Sequence, residues 1–228
     1  MAVRAPGEAT ARSADAGGKS GSRGAGKRDA ARERRRPQLI AATIKCISRS
    51  GLAGVTMQEI TREAGLSLGI VNLHFDTKEK LLIETLRSIA EEYRTGWRRI
   101  LDGDRPAAER LAALVEFDFS ARVVQRGKLS VWFAFWGETK TRPTYRRICA
   151  EVDRAIDEEL CELCTQLVAE GRYRDVEPKL VAVTYSALTN GLWLDILVCP
   201  EEMDRNGARR ICLEYLARIF PRHFERVA

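Results

Sequence analysis

Two sets of side chains in this sequence have the types and spacing to bind something, and neither has the make-up of a catalytic set. The first is polar and runs from Thr56 to Lys78, with Ser67, Asn72 and His74 between them. Asn72 carries a donor and an acceptor that could grip an adenine edge in two places. Thr56, Ser67, His74 and Lys78 could reach phosphates, contacts that position a protein on a duplex; for His74, packing against the first helix is an equal reading. The second set is aromatic. The segment KLSVWFAFWGET puts Leu129, Trp132, Phe133 and Trp136 on one helical face, with Phe135 beside it. Upstream, Asp118 shares an inward face with Leu111, Leu114 and Val115. A carboxylate there is costly unless something positive meets it. The partner is either an internal arginine or a cationic ligand that the rings would also attract by cation–π interaction. A ring stripe is also what an ordinary core uses, and that reading stands beside the cage. Enzyme chemistry is poorly supplied. The two histidines are His74 and His223, and the chain has neither a phosphate-cradling glycine loop nor a nucleophile elbow. No catalytic residue, metal or cofactor is expected.

The polar set sits on strong local signals. Thr56 with Glu59 forms a capping box, Val55 and Ile60 staple the entry, and Gly65 stops the helix. Ser67 is placed to cap a second short helix, Leu68 to about Phe75, and Asp76 with Glu79 repeats the box pattern for a third. Two short helices around a glycine turn is the layout that puts the second helix into a major groove. Leu68, Gly69 and Asn72 should then face the DNA, with Leu73 at the end of the presented stretch, while Ile70, Val71 and Phe75 face inward.

This pattern resembles the DNA-binding domain of TetR-type repressors, carried by Thr56, Ile60, Ala64, Gly65, Ser67, Gly69, His74, Phe75, Lys78, Glu79 and Leu81. The resemblance implies an all-α protein: a helix-turn-helix domain over 34–82, then a helical ligand-binding and dimerisation domain over 83–228. Family members often carry tyrosine near Asn72 or Leu73, and its lack here implies a different operator. Outside the reader, VWFAFWGETKTRPTYRRI (131–148) and ALTNGLWLDIL (187–197) resemble the BetI-type, choline-responsive branch of the family. That implies release by choline or another quaternary ammonium, held by Asp118, Trp132, Phe135, Trp136, Asn190 and Trp193. Asn190 and Asp195 depart from that branch in charge.

The frame around these sets follows from composition. The 228 residues carry a net charge of +6; residues 1–36 hold ten basic against four acidic residues, so the whole excess precedes the reader. Residues 1–33 read as a disordered basic tail, either passive or following phosphates. The first helix is expected over about Pro37 to Arg49, stopped by Gly51. A long helix from Thr77 to about Leu101 joins the reader to helices near Ala107–Val123, the aromatic segment, Thr144–Glu170, Pro178–Val198 and Met203–Ile219. The last two are more apolar than a lone hairpin needs, which with the family resemblance implies a homodimer. No apolar run is read as crossing a bilayer and no signal core is present, so a cytoplasmic location without membrane contact is expected. Six cysteines fit a reduced compartment, and CELC at Cys161 to Cys164 is read as buried small side chains, with a redox role as the rival. The competing function is a ligand-independent or redox-responsive DNA-binding protein.

Overall fold

The computed structural model describes residues 21–225, with side chains from Arg35. Its described part is all-α: α1 (Gly21–Gly54), α2 (Met57–Ala64), α3 (Leu68–His74), α4 (Lys78–Leu101), α5 (Ala107–Asp118), α6 (Arg126–Gly137), α7 (Pro143–Gly171), α8 (Pro178–Val198) and α9 (Arg205–Ile219). Two units divide the chain, residues 1–37 and 38–228. The first twenty residues of the expected tail lie outside the described residues. From Gly21, however, the backbone is helical, earlier than the expected start at Pro37. The alanine, arginine and glutamate of AARERRR are strong helix formers, which accounts for the turns just ahead of Pro37.

Within the second unit, α1 to α3 make a small core. Leu39, Cys46, Ile47, Val55, Ile60 and Val71 are buried in it. Gln38 donates to the Ala64 carbonyl at 2.7 Å, fixing α1 against the end of α2. Glu63 pairs with Lys45 at 3.1 Å on the outside of the same joint. Gly51 breaks α1 with φ 71° and ψ 169°, as a stop signal there requires.

The long α4 leaves this core through Leu81, Leu82 and Leu86 and ends in the larger bundle, where Trp97 is buried. A second joint is made by α6 and the turn after it. A Cβ at Gly127 would lie 3.8 Å from Ile44 and Ser48 of α1, so the start of α6 runs beside α1. At the other end, Arg142 reaches Glu79, in the first turn of α4, at 3.5 Å. The reader is thus tied to the larger bundle at α4, at the start of α6 and at the turn that leads into α7.

α8 is long and apolar enough, by length and composition alone, to cross a membrane, contrary to the sequence expectation. Its apolar side chains serve two faces. Val181, Ala182, Tyr185, Leu192 and Trp193 are buried against the bundle. Leu180, Val183, Leu194 and Val198 are 62, 46, 43 and 65% exposed. Helix α5 stops at Asp118 rather than near Val123, because the chain turns through Phe119–Ser120 before α6 begins.

Candidate DNA interface and ligand cavity

The reader forms through local bonds. Thr56 accepts from the Glu59 amide at 3.2 Å while the Glu59 carboxylate accepts from the Thr56 amide at 2.9 Å. Gly65 sits at φ 64° and its amide, with that of Leu66, closes the end of α2 on Arg62 and Thr61 carbonyls. Two expected caps differ. Ser67 occupies the N-cap of α3 but its side chain makes no capping bond; its carbonyl accepts from Ile70 and Val71 instead. α4 is capped by Thr77, which accepts from the Lys80 amide at 3.1 Å. Asp76 instead pairs with Lys80, and Glu79 turns to Arg142. The Thr77 hydroxyl is one residue nearer the helix, which is why it takes the cap.

Along α3 the two faces separate cleanly. Val71 and, just after the helix, Phe75 are buried; Ile70 and His74 are half-buried. Leu68, Gly69, Asn72 and Leu73 are exposed, Leu73 at 61%. Thr56 and Ser67 are exposed at the starts of α2 and α3, and Lys78 is half-buried at the start of α4. The outward row of α3 therefore offers two leucines, a bare backbone at Gly69 and one amide. Apolar contact with a thymine methyl and bidentate contact with adenine are the chemistries these types supply.

The larger bundle holds a partly open cavity of about 600 Å³. Asp118, Trp132, Trp136, Asn190 and Trp193 line it. Phe135 does not; it is fully buried, edge-on to Tyr145 with ring centroids 4.8 Å apart. Leu129, Trp132, Phe133 and Trp136 make the cavity face of α6, and Phe135 sits at its margin and turns to Tyr145, beside the face as the sequence pattern placed it.

Asp118 is fully buried, and its partners are neither an arginine nor any other cation. One carboxylate oxygen accepts from the Tyr93 hydroxyl at 2.8 Å and the Trp97 indole at 2.9 Å. The other accepts from the Tyr185 hydroxyl at 2.8 Å. Trp193 donates to the Asp118 main-chain carbonyl at 2.9 Å. Burial pushes the carboxyl up to about 6, against the pull of those three side-chain donors. The charge is solvated by neutral dipoles and left unneutralised. The same donors fix the aromatic wall: Tyr93 stacks on Phe117 at 5.7 Å and meets Trp193 edge-on at 5.4 Å. Phe117 reaches Tyr93 across Gly96, where a Cβ would collide with its ring.

The other acids in the cavity are not among the residues expected there. Asp153 and Asp157 of α7 line it, as does Glu92 of α4. Burial, then the neighbouring Asp157, raises the Asp153 carboxyl to about 6. The lining cations are Arg122 and Lys128, and both bind Glu92, at 3.0 and 2.7 Å. Four lining acids thus face two lining cations. Among the described residues Asp118, Asp153 and Asp157 have no Lys or Arg within ion-pair distance. Asp153 and Asp157 could have been suspected as an i, i+4 pair in α7, but only the fold shows that this face looks inward. Asp195 is exposed and lies outside the lining. Cys161 is half-buried and Cys164 buried, its thiol pushed up to about 12 by burial.

A capped helix-turn-helix joined by one continuous helix to a bundle with a charged, aromatic cavity is the architecture of a helix-turn-helix transcriptional regulator with a helical C-terminal domain. Residues 39–85 match the family of bacterial regulatory proteins called tetR, and residues 107–221 match the C-terminal domain of BetI-type transcriptional repressors. The chain belongs to the TetR family of transcriptional repressors, in its BetI-type branch. It is 32% identical over 187 residues to the HTH-type transcriptional regulator BetI of Burkholderia mallei, covering 81% of this chain and 93% of that one. It is 33% identical over 189 residues to the protein of the same name from Ectopseudomonas mendocina, covering 80% and 91%. A solved transcriptional regulator from Pseudomonas aeruginosa PAO1 aligns with TM-score 0.73 and 30% identity over 85% of this chain and 95% of that one. Another, from Saccharomonospora viridis and solved in complex with choline, aligns with TM-score 0.72 and 24% identity over 79% and 94%.

Proposed function

We propose that this repressor acts in the cytoplasm as a homodimer on a two-fold symmetric operator and is released by a small organic cation of the choline class. The observation that carries the ligand class is the unneutralised charge of Asp118, Asp153 and Asp157 in a cavity walled by Tyr93, Trp132, Trp136 and Trp193. A quaternary ammonium is attracted by such carboxylates and by ring faces, and it asks for no hydrogen bond that the carboxylates must give up. The choline held by the Saccharomonospora viridis regulator, a protein of the same fold, supports the class. Asn190 and Trp193 complete the cavity from α8, and Phe135 supports it from behind.

The reading of DNA falls to Leu68, Gly69, Asn72 and Leu73, with Thr56, Ser67, His74 and Lys78 toward phosphates. Pairing falls to α8 and α9. Leu180, Val183, Ala187, Gly191, Leu194 and Val198 recur every three or four residues, a stripe that is exposed throughout. Small residues at its centre allow a second helix to approach closely, as in a four-helix bundle of two copies. Val183 and Leu194 also line the cavity, so pairing and ligand share a wall.

Control passes along α4, which supplies Tyr93 and Trp97 to the cavity and is separated from α3 by three residues. A ligand that prefers one tilt of α4 changes the spacing of the two readers by its differential affinity for the two states. A gel shift on the DNA upstream of the gene, with and without millimolar choline, tests the scheme. Retarded DNA released by choline is expected; retardation indifferent to choline and to other quaternary ammoniums would leave the ligand-independent alternative. Sedimentation of the Val198→Glu variant as a monomer is expected, against a dimer for the parent.

A further inference from the structure

The opening of the cavity and the bare face of α8 are one surface. Apart from Arg122, the exposed residues of the cavity lining all lie on α8: Val183, Ala187, Gly191 and Leu194. Those four are the middle of the stripe that runs from Leu180 to Val198. From either end the stripe reads large, large, small, small, large, large. A second copy laid antiparallel about a two-fold axis at its centre sets Ala187 and Gly191 of each chain against those of the other. The larger side chains then meet outside them, the same patch serving on both copies. Among the described residues, the exposed large apolar side chains outside the reader all belong to α8 and α9. Their exposed apolar surface is on the order of 500 Å², close to the apolar share of the roughly 800 Å² per partner that a stable pairing covers.

We propose that the second copy is the lid of this cavity, so that each effector site is completed only in the dimer. Resting on the pairing and cationic-ligand readings above, the lid makes each depend on the other. Left uncovered, the mouth admits water to the ring faces and carboxylates that hold the cation, and water weakens both attractions. Seating the stripe of the second copy over Ala187 and Gly191 excludes that water without bringing in a charge, since no Asp, Glu, Lys or Arg occurs from Leu180 to Leu194. Two sites then lie on either side of the two-fold axis, and a cation in each holds the copies more firmly together. Pairing and binding strengthen one another by the same factor at each site.

The test pairs sedimentation of the full chain with calorimetric titration by choline. Leu180→Glu and Val198→Glu, at the ends of the stripe and outside the cavity lining, should each sediment as monomers. Each should bind choline about ten-fold more weakly than the parent dimer, although an added carboxylate would by itself draw a cation. Saturating choline should in turn tighten self-association of the parent by about ten-fold for each site. The parent, diluted through its own dimer dissociation, should lose choline affinity to the same extent with no substitution at all. Monomeric variants that unfold in urea like the parent and bind choline as tightly overturn the lid while pairing and ligand stand. So does a parent affinity that stays constant on dilution. Variants that remain dimers place the pairing face elsewhere and overturn it too. A parent that is monomeric throughout sinks the pairing reading, and a dimeric parent that binds neither choline nor tetramethylammonium sinks the ligand reading. Either result takes the lid with it.

Discussion

The reader and the cavity domain solve opposite problems. In the reader, the bonds that start and stop the helices lie within three or four residues of one another: Thr56 with Glu59, Thr77 with Lys80, Gly65 with Thr61 and Arg62. Its binding face is what remains exposed once those local needs are met. In the cavity domain the decisive bonds span the chain. Asp118 is held by residues 25, 21 and 67 positions away, and Trp193 returns to it across 75. Its binding face lies in a recess between helices, and it keeps charge and donors unmet. A surface that must fit a long polyanion can be built locally, whereas a pocket that must strip water from a small cation has to be assembled from several helices.

That contrast can be broken most directly at Asp118. Asp118→Ala removes the shared acceptor of Tyr93, Trp97 and Tyr185 and leaves three buried donors unmet. A loss of about 4 kcal/mol is expected in urea unfolding, with DNA binding surviving wherever the protein stays folded. A loss under about 1 kcal/mol would mean that those donors find other partners easily, and that the cavity is no more interdependent than the reader.

Asn72→Ala probes the local side. Loss of a two-pronged base contact should cost about 2 kcal/mol against the specific operator, while binding to unrelated DNA and folding stability stay unchanged. An equal loss on all sequences would make Asn72 a phosphate contact.

The pH dependence separates the two regions without mutation. Burial raises Asp118 and Asp153 to about 6, above their ordinary range. Raised carboxyls favour the folded state most below the ordinary pKa near 4, and that contribution is lost as pH climbs through 6. Cation binding runs the other way, since it needs the ionised form. Choline affinity should therefore fall about ten-fold between pH 7.5 and 5 if one carboxylate governs it. A flat profile would remove both acids from the ligand's field. Smallest of the four, Thr56→Ala should cost about 1 kcal/mol of reader stability through loss of the cap, read as faster amide exchange in α2 with the cavity unaffected.

Much of this was legible in the chain itself, for a physical reason. Caps, glycine stops and apolar spacing act over one or two turns, so α2, α3 and the entry to α4 follow from nearest neighbours. Even there, one-residue competitions escaped: Thr77 rather than Asp76 takes the cap, and Ser67 caps by position without its hydroxyl. The inward set of Asp118 also followed from periodicity, but its partners did not. An arginine or a ligand were the expected neutralisers; three neutral donors from α4 and α8 were found instead.

Local sequence therefore determined which segments are helical, which face of α3 stays wet, and that an acid is buried among aromatic side chains. Tertiary structure alone decided that Phe135 turns away from the cavity while Asp153 and Asp157 turn into it, and that the buried indole N–H groups of Trp132 and Trp136 meet no acceptor among the described residues. Helix faces are fixed by periodicity, but what a face meets depends on how helices far apart in the chain are packed together. No spacing within one helix carries that information.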